Sequence, residues 1–211
     1  MKFLFTVFCL LMSVMLLDCR NPTISPEETK PAVNVDSTRI KAAEALEYCK
    51  SKKFNTDFCI LIDMSLHSGV KRFFVWDFTK DTISYSFLVG HGCCNNAWSS
   101  DQSKDDPTFS NVDGSHCSSL GKYKIGERAY TYWGVKTKYV LYGLESTNSN
   151  ALSRYIVFHS WEAISDEEVY PNGTPEGWGC PVTVSYTHLR AHETVLDLVC
   201  RLLLEKKKHD T

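Results

Sequence analysis

Six short runs of β-branched and aromatic residues follow one another through the middle of the chain: Phe58–Met64, Arg72–Phe78, Thr82–Val89, Tyr130–Trp133, Lys138–Leu144 and Arg154–His159. Each has the length and composition of a strand, and polar, Gly- and Asn-rich stretches separate them. One helix precedes them. Ser37 is placed as its N-cap, and it runs to about Lys53 with Ala42, Leu46 and Cys49 on one face. Several short strands with a single short helix predict a mainly β domain, a sandwich or barrel, rather than a parallel α/β sheet. The longest strand-free stretch, Gly92 to Ser119, holds few aliphatic residues, and an ordered loop of that length usually serves a site.

The ends differ from this middle. Lys2 is followed by an apolar run from Phe3 to Leu17, shorter than the about 20 residues a helix needs to cross a bilayer, so residues 1–19 read as a secretory signal. Two processing outcomes fit. One leaves a lipid-modified Cys19 that attaches the protein to a membrane, although Asp18 stands where a small residue is normal; the other is ordinary cleavage. Both predict export, to the periplasm or to the outer-membrane-attached envelope. Residues 20–37, with Pro22, Pro26 and Pro31 and mixed charge, read as a tether, and 38–183 as the domain.

From about Val184 the composition shifts abruptly. The segment resembles a translated sequencing adaptor of the kind found fused to the ends of unrelated metagenomic proteins. On that reading 184–211 is non-native, and His188, His192, Cys200 and His209 have no evolved role. The domain is then truncated and lacks a closing strand. The alternative is an amphipathic C-terminal helix, since Val195, Leu198, Leu202 and Leu203 fall at helical spacing.

With 211 residues, 43% of them hydrophobic, the chain can bury a core of its own. A net charge of −2 leaves no basic excess for a nucleic acid, and a monomer is expected. Nine cysteines suit an oxidising compartment. The expected bridges are Cys49 with Cys59, and Cys117 with Cys93 or Cys94. His91, Cys93, Cys94, His116 and Cys117 invite a zinc reading. Adjacent Cys-Cys and His-Cys pairs converge poorly on a tetrahedral ion, however, and no metal or other cofactor is expected.

The chemistry concentrates late in the domain. An apolar strand, Arg154-Tyr-Ile-Val-Phe-His159, delivers a histidine to its C-terminal end. Cys180 follows in a tight Gly177-Trp-Gly-Cys-Pro181 turn. A thiol needs a base to become a nucleophile, and a carbonyl under attack needs backbone N–H donors for its oxyanion. His159 is the candidate base. Gly179 permits close backbone approach, so the backbone of Trp178, Gly179 and Cys180 is the candidate oxyanion site. Papain-like and NlpC-like peptidases place Cys before His, opposite to this order. Sortases need a later arginine, and only Arg190 and Arg201 follow Cys180.

In order along the chain, Phe58–Gly69, Arg72–Asp77, Val89-Gly-His-Gly92, Phe109–Tyr123, Tyr142-Gly-Leu-Glu145, Arg154–Ser160 and Trp178-Gly-Cys-Pro181 resemble murein L,D-transpeptidases of the YkuD type, in the branch common in Bacteroidetes. That family usually carries Ser/Thr-His-Gly-Cys with a histidine about twenty positions upstream; here Gly177 and Trp178 replace the first two residues. The resemblance implies a β-sandwich or barrel and a peptidoglycan stem tetrapeptide as substrate. Cys180 would form a thioester with release of D-Ala, followed by transfer to an amine or to water. Asn111, His116, Ser118 and Ser119 are expected to frame the substrate groove, or else to hold the long loop together by Asx- and Ser-based turn chemistry. Arg154 is expected either to bind a stem carboxylate or to pair with a neighbouring acid. The rivals are a peptidoglycan-binding module that retains the groove without the chemistry, and an inactive chimeric fragment of the enzyme.

Overall fold

The structure, a computed structural model, describes residues 29–184 and the backbone of 201–205. The expected signal, Cys19, most of the tether and most of the tail therefore lie outside the described residues. A single helix, α1 (Val35–Lys52), precedes strands β1 (Phe58–Asp63), β2 (Phe73–Asp77), β3 (Thr82–Phe87), β4 (Val89–Gly90), β5 (Gly121–Tyr130), β6 (Thr137–Gly143), β7 (Val157–Ser160), β8 (Val182–Thr183) and β9 (Arg201–Glu205). The domain is mainly β, as expected. Among the described residues no helix is long and apolar enough to cross a membrane.

The strands form one mixed sheet in the order β3-β2-β1-β9-β5-β6-β7-β8-β4. Its two outermost members, β3 and β4, are separated in sequence only by Leu88. The sheet must therefore curl until its ends meet, which gives the barrel-like form and removes most of the free edge.

Pattern explains the layers. In β1, Phe58, Ile60 and Ile62 face the central core with Phe73 and Val75 of β2, Tyr123 and Ile125 of β5, and Leu141 and Phe158. The alternate residues Cys59, Leu61, Phe74 and Trp76 pack against Ala42 and Ala45 of α1. Both faces of β1 and β2 are covered, and so their sequences are continuously apolar instead of alternating. The helix begins one turn earlier than expected: Asn34, not Ser37, is the N-cap, its side chain accepting the Ser37 N–H at 2.9 Å. Ala45 is buried where Leu46 was expected. Cys49 and Cys59 are buried thiols rather than the expected bridge. One disulfide is described, Cys94–Cys117, which closes the long loop on itself.

Two strand assignments change. β5 was missed because Gly121, Gly126 and the charged Lys122, Lys124, Glu127 and Arg128 dilute its β signal. Its register with β6 shifts between Ile125 and Arg128, which places a bulge at the second glycine. Tyr130–Trp133, expected as a strand, is instead the end of β5 and the turn that follows; Tyr132 is 85% exposed.

The expected gap in the sheet is also filled. Backbone of Arg201–Glu205 pairs parallel with β1 and antiparallel with β5, as a strand rather than as part of a C-terminal helix. A chain ending at Ser185 should therefore lose this ladder, expose the inner edges of β1 and β5, and melt at a lower temperature or aggregate. Differential scanning calorimetry of both lengths checks this, and identical melting would remove any structural role for 201–205.

Candidate active site

β7 and β8 run parallel, with His159 opposite Val182 and Ser160 opposite Thr183. Along β7 the side chains alternate: Phe158 and Ser160 are buried in the fold, whereas Val157 and His159 line a cleft of about 220 Å³. Carrying the β7–β8 register two residues back sets Cys180 beside Val157. The Val157 N–H accordingly points at the Cys180 sulfur at 3.4 Å. His159 and Cys180 are thus diagonal neighbours on one face of adjacent strands, and both line the cleft. The thiol itself points back at the Tyr155 carbonyl, 3.9 Å away.

The turn before Cys180 depends on glycine. Gly179 has φ of +99°, and a Cβ there would lie 2.6 Å from the Cys117 carbonyl oxygen. Any side chain would push the 177–180 turn off the 110–119 loop. Among the described residues, the N–H groups of Trp178, Gly179 and Cys180 donate to no acceptor. They belong to the turn that carries Cys180 and are free to donate to an incoming acceptor.

His159 Nδ1 lies 2.9 Å from the Ser160 carbonyl oxygen. A carbonyl only accepts, so Nδ1 carries the proton and Nε2 keeps the basic lone pair. Burial depresses the His159 pKa, opposed by this hydrogen bond. Burial also raises the Cys180 pKa above the ordinary 9, opposed by the Val157 N–H and by the charges of Arg154 and Lys138. Both shifts favour the uncharged forms, so the resting pair is thiol and imidazole.

The other residues expected at the groove have different work. Ser118 and Ser119 are buried. Ser118 accepts the Gly92 N–H at 3.0 Å and donates to the Gly179 carbonyl at 3.0 Å, tying the Cys180 turn to β4's extension. Ser119 donates to the Ser110 carbonyl at 2.9 Å. Asn111 clamps the 146–150 turn through contacts with Ser146, Ser149 and Asn150. Among the described residues Arg154 pairs with no acid: it donates to the Ser110 and Cys117 carbonyls and to Ser115 and Ser119 hydroxyls. His116 is exposed and stacks on Trp178 at 5.5 Å. Of these, only Trp178 lines the cleft with Cys180 and His159.

Sequence reasoning missed two groups. The cleft walls are aromatic, with Trp98, Trp133, Tyr155 and Trp161 joining Trp178, and with Thr131 and Lys138 among them. Their scatter along the chain gave no local signal. The second group is a buried relay just before the Cys180 turn. Arg72 Nη2 lies 2.8 Å from His91 Nδ1, His91 Nε2 lies 3.0 Å from Ser103 Oγ, and Ser103 Oγ donates to Glu176 at 2.8 Å. Arginine only donates, which places the His91 proton on Nε2 and directs every bond toward the carboxylate. Glu176 also receives Asn96, Ser100 and the Ser103 N–H. Arg72, His91 and Glu176 are all fully buried, and the next residue, Gly177, is bonded on both sides to the 91–93 segment. A charge of each sign is thus compensated through a neutral histidine, and removing either end would strand the other.

Burial holds the pKa values of His67, His91 and His159 below 6.5 in the fold. Unfolding restores ordinary values, so the unfolded chain binds more protons and acid favours it. The stability these neutral rings provide is complete above pH 6.5 and is lost as the pH falls below that value. The urea midpoint should therefore be flat from about pH 8 to 7 and drop between about pH 6.5 and 5; a midpoint unchanged down to about pH 5 would contradict it.

Residues 29–198 match the L,D-transpeptidase catalytic domain family YkuD_2. No curated protein matches the sequence. Among solved structures, the helical cell shape determining protein Pgp2 of Campylobacter jejuni is similar at 12% identity and a TM-score of 0.44, over 72% of this chain and 48% of that one. An L,D-transpeptidase from Xylanimonas cellulosilytica is similar at 8% identity and 0.39, over 75% and 68%. Bd1075 of Bdellovibrio bacteriovorus is similar at 15% and 0.40, over 73% and 49%. The chain spans about half the length of the Pgp2 structure. The family match covers most of the chain, including the strand that carries His159 and the turn that carries Cys180: this protein belongs to the L,D-transpeptidase catalytic domain family.

Proposed function

We propose that the protein is a cysteine-dependent L,D-transpeptidase or L,D-carboxypeptidase acting on the tetrapeptide stems of peptidoglycan. The observation that carries the reading is the placement of Cys180 and His159 side by side on one cleft face, with His159 Nδ1 held by the Ser160 carbonyl. His159 Nε2 takes the thiol proton as Cys180 sulfur attacks the carbonyl between the third, diamino-acid residue and the terminal D-Ala. The oxyanion that forms is held by N–H groups from Trp178, Gly179 and Cys180. As the carbon–nitrogen bond breaks, His159 returns its proton to the departing amine, and D-Ala leaves. The thioester is then attacked by an amine, which forms a cross-link, or by water, which leaves a tripeptide; His159 removes the proton from either nucleophile. This sequence is complete without a metal or organic cofactor.

The thiol–imidazole resting state suits such a cycle. The proton moves when the carbonyl is in place. The Gly177-Trp178 pair in place of Ser/Thr-His leaves the nucleophile and base intact and removes a hydroxyl from the cleft. The substrate implies export, in line with the apolar run at the N-terminus, and Cys19 is a candidate lipid anchor.

The test is release of D-Ala from a disaccharide tetrapeptide. The full chain should release it, and Cys180→Ala should lower the rate at least about a thousandfold. Retained activity in the variant would remove Cys180 from the mechanism.

A further inference from the structure

The cleft has a single fixed charge. Its lining residues are Trp, Tyr, Thr, Val and Gly apart from Cys180, His159 and Lys138, and no acid is among them. Lys138 lies on β6 directly opposite His159 in the antiparallel register, so its side chain leaves the sheet on the same face. It is half-buried, and among the described residues it has neither a hydrogen bond nor an ion pair. Other lysines near this sheet are engaged: Lys122 with Glu145, Lys104 with Asp101, and Lys80 with Asp77. An ammonium with no partner among the described residues, in a cleft lined by four tryptophans, can pair with an anion that arrives from outside.

The charge also reaches both reacting groups. The Lys138 charge lowers the pKa values of Cys180 and of His159, at His159 against the opposing charge of Glu162. Trp133 and Trp161 form an edge-to-face pair at 6.3 Å next to His159, so an anion entering here meets a wall of low polarity on one side. In such surroundings an ammonium–carboxylate contact is stronger than at an open surface.

We propose that Lys138 anchors the free α-carboxylate of the residue released from the substrate, so that the cleft accepts a peptide ending one residue beyond the scissile amide. This rests on the catalytic reading above and adds the group that defines the leaving side. A terminal carboxylate sits one residue past the attacked carbonyl, and Lys138 sits one strand past His159, which protonates the leaving amine. Pairing the carboxylate with Lys138 therefore brings that amine toward the imidazole. A carboxamide, or a chain continuing past this residue, offers no anion to hold.

Binding separates this proposal from the catalytic one. The full chain carrying Cys180→Ala is titrated calorimetrically with the free-acid tetrapeptide and with its C-terminal carboxamide. The acid should bind at least about tenfold more tightly, the range expected of a hydrogen bond to a charged group. Adding Lys138→Met should abolish that preference while leaving the carboxamide affinity unchanged, which also shows that the variant is folded. Lys138→Arg should keep the preference. Equal affinity for acid and carboxamide, or a preference that survives Lys138→Met, would overturn the carboxylate site. A chain that shows the preference but releases no D-Ala would keep the site and overturn the catalytic reading.

Discussion

The parallel pairing of β7 with β8 is the constraint on which the site depends. It sets His159 against Val182 and, by the period of the strand, Cys180 against Val157. A one-residue slip would turn His159 or Cys180 into the core. β8 has only two residues, so its own ladder cannot hold that register. The turn before it must, and Gly179 against the Cys117 carbonyl is the contact that fixes the turn.

Much of the remaining structure supports that contact. The Cys94–Cys117 bond and the four Arg154 hydrogen bonds stiffen the loop that presents the Cys117 carbonyl. Ser118 reaches across to the Gly179 carbonyl, and the Arg72–His91–Ser103–Glu176 relay holds the chain immediately upstream. Burying Arg72 and Glu176 is costly in desolvation. Hydrogen bonds that saturate both groups make the arrangement rigid, because no partner can move alone. The reacting pair itself is left neutral, since burial raises the thiol pKa and lowers that of the imidazole.

Much of this was legible in the residues. Alternating or continuous apolar runs located β1, β2, β3, β6 and β7, and the His-strand and Gly-Trp-Gly-Cys turn pointed to two side chains that line one cleft. What escaped was long-range. β5 hid behind its bulge at Gly126. Arg154, expected to meet a carboxylate, was a polar residue at a strand end with no local sign of the loop folded over it. Ser118, Ser119 and Asn111 lie in the long loop, and their polar atoms hold that loop together, the second of the two roles their residue types suggested. The Glu176 relay joins four residues spread over about half the chain, and no spacing rule reaches that far. Lys138 reads as an ordinary exposed strand lysine until its register with His159 is known.

The central claim is that Cys180 becomes acylated. Intact-mass spectrometry after rapid acid quench of the full chain with a disaccharide tetrapeptide tests it most directly. The account predicts an adduct equal to the donor less D-Ala, mapped to Cys180 by peptide digestion and discharged by added amine or by hydrolysis. Release of D-Ala with no such adduct under any quench time, or an adduct carried by a different residue, would contradict it.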